Sequence, residues 1–294
     1  MNEPNTFSAH RARLFSIAYR MLGVRADAED LLQDAWLRWQ AADQGAIASA
    51  EAWLVTVVTR LSIDRLRSAI AEREAYEGLW LPEPLVGVDE ETPEVQAERA
   101  SDLSLAYMWL LERLGPEERA AFLLRQVFDY DYADVAAQLG KTEAACRQLV
   151  SRAGERVQQP RARFDVPQET HRQLLARFMA AAGNGDKDAI RALLADDIEL
   201  VGDGGGKVKS FGVVVTNPDR VAALYAQMAR QGAIVYRLAM VNGEPGLLRY
   251  VDGQLESAQG IATDGERITG LYVVRNPEKL AGIVTNPAPA PSNR

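Results

Sequence analysis

Tyr132-Ala133-Asp134-Val135-Ala136-Ala137-Gln138-Leu139-Gly140-Lys141-Thr142-Glu143-Ala144-Ala145-Cys146-Arg147-Gln148-Leu149-Val150-Ser151-Arg152 reads as helix, tight turn, helix. Ala136 is small enough for two helices to pack closely, and Gly140 four residues later permits the backbone to turn. Thr142 suits the start of the second helix, and Glu143 places a favourable charge in its first turn. Cys146 falls where such a pair wants a buried, medium-sized apolar residue. The outward face then presents Arg147, Gln148, Ser151 and Arg152. Arginine can read guanine edges bidentately, glutamine can read adenine, and serine can hold phosphate. A helical hairpin with a solvated basic face would use the same residues. The agreement of small residue, glycine and cap favours a recognition helix in a major groove.

Charge around this stretch supports the reading. The chain of 294 residues carries a net charge of −8, with 33 basic and 41 acidic residues, which argues against a chain that coats DNA throughout. Lys141 to Arg163, however, holds six basic residues against Glu143 and Glu155, while Glu72 to Asp102 is dominated by acids. One DNA-facing element within a chain whose other surfaces repel DNA or bind protein fits that distribution.

Upstream, Phe7 to Ala71 has helical periodicity: Leu14, Ile17, Ala18, Met21 and Leu22, then Gly23 as a stop; Leu31, Leu32, Ala35, Trp36 and Trp39; and Trp53, Leu54, Val57, Val58, Leu61 and Leu66. Trp80-Leu81-Pro82-Glu83-Pro84-Leu85 cannot continue a helix and opens a linker. Helical texture resumes near Pro93, with Gly115-Pro116 as a stop followed by a start. Past Val166, two helices precede expected strands at Ile198–Gly202, Lys209–Val215, Ile234–Val241, Leu247–Val251, Gln254–Thr263 and Arg267–Val274, with a helix at Pro218–Gln231. Asn242-Gly243, Asp252-Gly253 and Asp264-Gly265 are hairpin signals, so this block is expected to be α+β with an antiparallel meander. One cysteine and two distant histidines, His10 and His171, predict neither a disulfide framework nor a metal site. No apolar run spans a membrane, and Met1 to His10 lacks a signal pattern, so the expected compartment is the cytoplasm with no membrane partner.

Ala28-Glu29-Asp30-Leu31-Leu32-Gln33-Asp34-Ala35-Trp36-Leu37-Arg38 resembles the polymerase-binding helix of sigma-70-family factors. Ala52-Trp53-Leu54 with Ser62-Ile63-Asp64-Arg65-Leu66-Arg67 resembles the element that opens and reads the −10 promoter region. Leu114-Gly115-Pro116-Glu117-Glu118-Arg119 and Asp129–Arg156 resemble the −35-reading domain. Their order is similar to the extracytoplasmic-function sigma factors. The third block resembles a SnoaL-like cone domain carried by one group of these factors, through Trp80-Leu81-Pro82-Glu83-Pro84, Asp203-Gly204-Gly205-Gly206-Lys207 and Asn276-Pro277-Glu278-Lys279-Leu280.

The resemblance implies a multidomain chain: sigma domain 2 at 1–75, a linker at 76–100, sigma domain 4 at 101–162, a SnoaL-like regulatory domain at 166–285 and a disordered tail at 286–294. It implies core RNA polymerase and promoter DNA as partners, and no cofactor. Asp30, Gln33, Asp34, Trp36 and Leu37 would dock on polymerase, although either Trp36 or Trp39 could instead belong to the domain core. Thr59, Arg60, Ser62, Arg65 and Arg67 would meet the −10 strand, with Asp64 pairing to a neighbouring arginine rather than touching DNA. Thr142, Arg147, Gln148, Ser151 and Arg152 would read the −35 element. Regulatory contacts are expected from Trp80, Leu81, Pro82, Asp203, Gly204, Gly205, Gly206, Lys207, Asn276, Pro277, Lys279 and Leu280. The glycine run alone also reads as a flexible turn or a weak phosphate loop.

Two other classes compete. A catalytic third domain would need a tuned acid or base, yet no histidine follows His171, and Asp197, Glu199, Asp203, Tyr236 and Glu256 form no pair by spacing. An unidentified small-molecule ligand in the C-terminal pocket fits better than catalysis. A stand-alone DNA-binding regulator would leave Phe7 to Ala71 without a purpose.

Overall fold

A computed structural model of the protein describes residues 3–87, 103–157, 166–230 and 232–283. The expected tail at 286–294, much of the acidic linker and the helix expected from Pro93 lie outside the described residues. The chain divides into two compact units, one of Met1–Ala75 with Met108–Arg161 and one of Tyr76–Tyr107 with Ala162–Arg294. No described helix is long and apolar enough to cross a membrane.

The first unit is helical. Helices α1 (Glu3–Leu22), α2 (Arg25–Ala41) and α3 (Ala50–Glu74) precede a shorter set. That set comprises α4 (Leu105–Leu111), which belongs to this unit from Met108 onward, α5 (Pro116–Gln126), α6 (Tyr132–Leu139) and α7 (Glu143–Val157). Gly23 ends α1 at φ 71°, and the Ser49 hydroxyl caps α3 by accepting from the Ala52 amide at 3.3 Å. Leu14, Ile17, Met21, Leu31, Leu54 and Leu66 are buried, as their helical spacing predicts. Trp39 belongs to the core, whereas Trp36 stays half-buried with its ring edge-on to Phe7.

The second unit is α+β. Helices α8 (Gln168–Asn184), α9 (Lys187–Leu193) and α10 (Pro218–Met228) accompany six strands. These are β1 (Val86–Gly87), β2 (Leu194–Asp203), β3 (Ile234–Val241), β4 (Glu244–Val251), β5 (Gln254–Thr263) and β6 (Ile268–Val274), with a short α11 (Pro277–Leu280) after the last. The order across the sheet is β1-β3-β4-β5-β6-β2. Each of the three predicted turns closes a hairpin: Asn242-Gly243 and Asp252-Gly253 put both residues at positive φ, and Gly265 alone does so in the third. Phe178 and Tyr225 meet edge to face at 5.1 Å in a core completed by Leu174, Ile190, Leu247 and Ile261.

Three expectations change. The sheet is mixed, because β2 runs parallel to β6. No strand forms over Lys209–Val215; Val215 makes only an isolated bridge to Leu200, since Gly212 and a turn interrupt the alternation. The linker, in contrast, supplies a strand: Val86 and Gly87 pair antiparallel with Val241 and Met240.

Candidate polymerase and promoter interfaces

On α2, Asp30, Gln33, Asp34 and Leu37 are exposed at spacings of three and four, so they form one stripe. Leu37 is 56% exposed and supplies the stripe's apolar centre. An apolar centre rimmed by carboxylates and an amide is a surface that can bury itself against a protein partner. Trp36 borders the stripe and is braced by Phe7.

The helix-turn-helix forms as its residues require. Asp131 caps α6 by accepting from the Asp134 amide at 2.8 Å, and Gly140 ends it at φ 63°. The Thr142 hydroxyl accepts from the Ala145 amide at 3.2 Å at the start of α7. Cys146, Leu149, Val150 and Ala153 face inward; burial pushes the Cys146 thiol up, so it is a packing group. Thr142, Arg147, Gln148, Ser151 and Arg152 are all exposed on the opposite side. Arg147 pairs with Glu143 at 2.7 Å and lies 4.8 Å from the Tyr132 ring centroid, which holds its guanidinium outward.

The expected −10 residues separate into two sets. Arg60 and Arg67 are exposed and Arg65 is half-buried, but Thr59 and Ser62 are fully buried against the helical core. In this conformation their hydroxyls have no access to a base or sugar: positions 59, 62, 63 and 66 share the inner face of α3. Arg67 pairs with Asp64 at 3.0 Å, as expected for that carboxylate. It also reaches Glu117 on α5 at 2.9 Å, and Lys141 meets the same Glu117 at 2.9 Å. The hydrogen bond from Lys141, with the charges of Lys141 and Arg67, holds the Glu117 carboxyl below its ordinary range. Arg60 donates through Nε to the Gln138 carbonyl at 3.1 Å. Arg65 is bound by Glu72 and Asp27.

The junction of α1 and α3 with α5 and α6 is thus built on arginine, and its centre was not foreseen from sequence. Arg119 is 1% exposed; it pairs with Glu112 at 2.8 Å and donates to the Met21 carbonyl at 2.8 Å. Arg73 shares Glu112 and donates to the Leu22 carbonyl. Arg13 donates to the Phe128 carbonyl at 3.2 Å and lies over the Tyr130 ring. For Arg119 and Arg73 the acceptors are the Met21 and Leu22 carbonyls, freed where α1 ends at Gly23.

In the second unit the linker is clamped. The Asp203 carboxylate, fully buried, accepts from the Tyr76 hydroxyl at 2.6 Å, the Leu81 amide at 2.9 Å and the Lys279 ammonium at 2.7 Å. Lys279 also donates to the Leu81 carbonyl and sits 4.1 Å from the Trp80 ring centroid and 5.0 Å from that of Tyr76. Asn276 donates to the Tyr76 oxygen at 2.9 Å and caps α11. Leu81, Pro82 and Pro84 are buried. Downstream, the Leu85 amide donates to the Asn242 side chain at 2.9 Å, and the Asn242 side chain donates to the Leu103 carbonyl at 3.0 Å.

This explains the glycines. A Cβ on Gly205 would stand 2.4 Å from the Asn276 side chain and 2.9 Å from the Tyr76 hydroxyl, and one on Gly206 would stand 2.7 Å from Glu77. Both residues have positive φ. The run is a close approach of linker to loop. Lys207 pairs with Glu278, Pro277 begins α11, and Leu280 is buried. Tyr76 and Glu77 escaped sequence reading, and Asn242 was read only as a turn residue; the aromatic that opens the linker was the available signal.

Two family models match the chain: sigma-70 region 2 over residues 6–71 and sigma-70 region 4 over residues 104–156. Among curated relatives, the ECF RNA polymerase sigma factor SigJ of Mycobacterium tuberculosis is 42% identical, over 95% of this chain and 94% of its own. The probable ECF RNA polymerase sigma factor SigI of the same species is 31% identical over 92% of each. Among solved structures, the crystal structure of M. tuberculosis extracytoplasmic function sigma factor SigJ aligns with a TM-score of 0.77 at 37% identity, covering 94% of this chain and 97% of that one.

Proposed function

The chain belongs to the extracytoplasmic-function sigma factors of the sigma-70 family, and from that premise we propose that its C-terminal α+β domain modulates promoter use by holding the linker between the two DNA-reading regions. As a family member it is a non-enzymatic initiation factor that binds core RNA polymerase and directs it to promoter DNA. The finer assignments are our reading. Asp30, Gln33, Asp34 and Leu37, bordered by Trp36, dock on polymerase. Arg60, Arg65 and Arg67 follow the −10 strand, and Arg147, Gln148, Ser151 and Arg152 read the −35 element.

The observation that carries the regulatory reading is the Asp203 carboxylate, which gathers Tyr76, Leu81 and Lys279 at one buried point. The chain passes from region 2 to region 4 through this linker, so its free length limits how far apart the two readers can act once their direct contacts open. Arg60 and Arg67, meanwhile, are engaged by Gln138 and Glu117. DNA phosphate would compete for the same guanidinium groups.

The test is full-length protein with sigma-free core polymerase, read by co-elution at one-to-one stoichiometry and by run-off transcription. Wild type and Asp203→Asn should both co-elute, while the variant changes transcription several-fold. Equal transcription by the two would overturn the regulatory reading; absence of co-elution would overturn the docking assignment.

A further inference from the structure

A cleft of about 700 Å³ opens beside α11 in the second unit. Val208, Val251, Leu255, Leu280 and Ile283 supply an apolar wall, beside which Asp252 and Gln254 are polar. Its charged floor is Glu256 with Arg275. The volume lies within the range of small-molecule sites, and the lining pairs an apolar wall with charged groups, as an amphipathic ligand requires.

The floor is produced by a β-bulge. Arg249 pairs with Ser257 and Tyr250 with Leu255, so Glu256 is the extra residue of β5. The bulge aims the Glu256 carboxylate at two arginines: Arg249, which is 3% exposed, and Arg275. Burial alone would raise the Glu256 carboxyl, but Arg249 and Arg275 together hold it below its ordinary range. The triad therefore carries one net positive charge. Arg275 donates through Nε and one terminal nitrogen to Glu256, and through the other to the Lys209 carbonyl. A guanidinium has five N–H groups, so further donors remain on a side chain that is 26% exposed. Asp252 lines the rim, where its carboxylate accepts from the Ala233 amide at 3.2 Å. A rim carboxylate disfavours dianions, leaving a monoanionic head as the best match.

The position of the cleft gives it a consequence. Leu280 forms part of its wall, while the adjacent Lys279 closes on Asp203, Trp80 and the Leu81 carbonyl. One four-residue helix thus serves both the cleft and the linker clamp. We propose that this cleft binds a monoanionic amphipath, a carboxylate on a short hydrocarbon chain, and that occupancy holds the linker in its clamped state. The carboxylate lies on Arg275 and the chain lies against Val251, Leu255 and Leu280. A ligand that needs α11 in place stabilises every contact that depends on α11 being in place. The inference rests on the regulatory reading of the clamp and names its effector site.

The experiment uses the full-length protein alone, with 1-anilinonaphthalene-8-sulfonate as the fluorescent probe and decanoate as competitor. Decanoate should displace the probe, and 1-decanol should do so at least tenfold less well. Arg275→Gln should weaken decanoate at least tenfold. Ala281→Trp, which fills the cleft from an exposed position and spares the triad, should do the same. It carries the test if Arg275→Gln fails to fold. With decanoate at about a hundred times its Kd, hydrogen exchange of the 76–87 amides should slow up to about a hundredfold. Three results overturn the proposal: no displacement, displacement unmoved by a folded variant, or binding that leaves 76–87 exchange unchanged. No polymerase or DNA is present, so failure here is distinct from failure of the transcription test.

Discussion

The junction between regions 2 and 4 and the clamp on the linker both rely on ionised side chains, yet they distribute them differently. The first spreads its charge over Arg60, Arg67, Glu117 and Lys141 at the surface and Arg73, Glu112 and Arg119 beneath. The second gathers three donors on one carboxylate with no solvent exposure. Exposed pairs are screened by salt and individually weak, whereas a buried carboxylate that loses its partner is costly. The first arrangement should yield gradually to a polyanion such as DNA. The second should hold or release as a unit.

The largest expected effect breaks that contrast directly. Lys279→Met leaves Asp203 buried without its cation, which should cost about 3–5 kcal/mol of clamp stability. Hydrogen exchange at the Leu81 amide reports it, and an exchange rate close to wild type would show that Tyr76 and the Leu81 amide suffice.

The next effect is a pH dependence confined to the second unit. His171 is 6% exposed, and its burial lowers the imidazole pKa to about 4, against the opposing pull of a hydrogen bond with the Ile261 backbone. The unfolded chain takes up a proton near pH 6.5 and the folded one only near 4. The unfolded state therefore holds more protons in that window, and stability falls as pH drops from about 6.5 towards 4. The loss should be on the order of 2–3 kcal/mol at the bottom of the window. His171→Phe should flatten the profile of urea midpoint against pH for the second unit; an unchanged slope would place its origin elsewhere.

Gly205→Ala sharpens the comparison from the steric side. The new Cβ would meet Asn276 and Tyr76 at a residue with φ of 60°, so a loss of about 1–3 kcal/mol is expected from crowding and strain. Thermal unfolding measures it. The same substitution at Gly154, where a Cβ meets nothing within 4 Å, should be neutral or stabilising.

These contacts also show what a sequence can and cannot declare. The helix-turn-helix was legible because its requirements lie within one short hairpin: Gly140 and Thr142 serve the turn and the cap, and Ala136 and Cys146 are buried on the two adjoining helices. Asp30, Gln33, Asp34 and Leu37 came from the resemblance to a polymerase-binding helix, and the geometry of α2 then places them on one exposed stripe. Thr59 and Ser62 misled because hydroxyl chemistry suits DNA, while their place on α3 faces inward with Ile63 and Leu66. Residue chemistry alone left glycines 204–206 open between a flexible turn and a weak phosphate loop, and contacts to the linker came only from the resemblance. Gly204 answers to the nearby Val208 carbonyl, but the residues that crowd Gly205 and Gly206, Tyr76, Glu77 and Asn276, lie at least 70 positions away in sequence. Long-range partners leave no periodicity. The parallel pairing of β2 with β6 was missed for the same reason, since hairpin signals announce only adjacent strands.

The smallest effect tests the surface half of the contrast. Arg67 and Glu117 have side chains 54% and 38% exposed, so their pairing should contribute less than about 1 kcal/mol. A double-mutant cycle of Arg67→Gln and Glu117→Gln isolates the term, and it should shrink further in high salt. Its value for function is larger than its energy. Glu117→Gln frees both Arg67 and Lys141 from a competing carboxylate, so promoter affinity should rise a few-fold at low salt while fold stability barely moves. Arg67→Gln should lower affinity and reduce the salt slope by about one phosphate contact. If Glu117→Gln instead weakens DNA binding, the carboxylate positions these cations for the phosphate rather than competing with it. The junction would then be part of the promoter-reading surface rather than a cover over it.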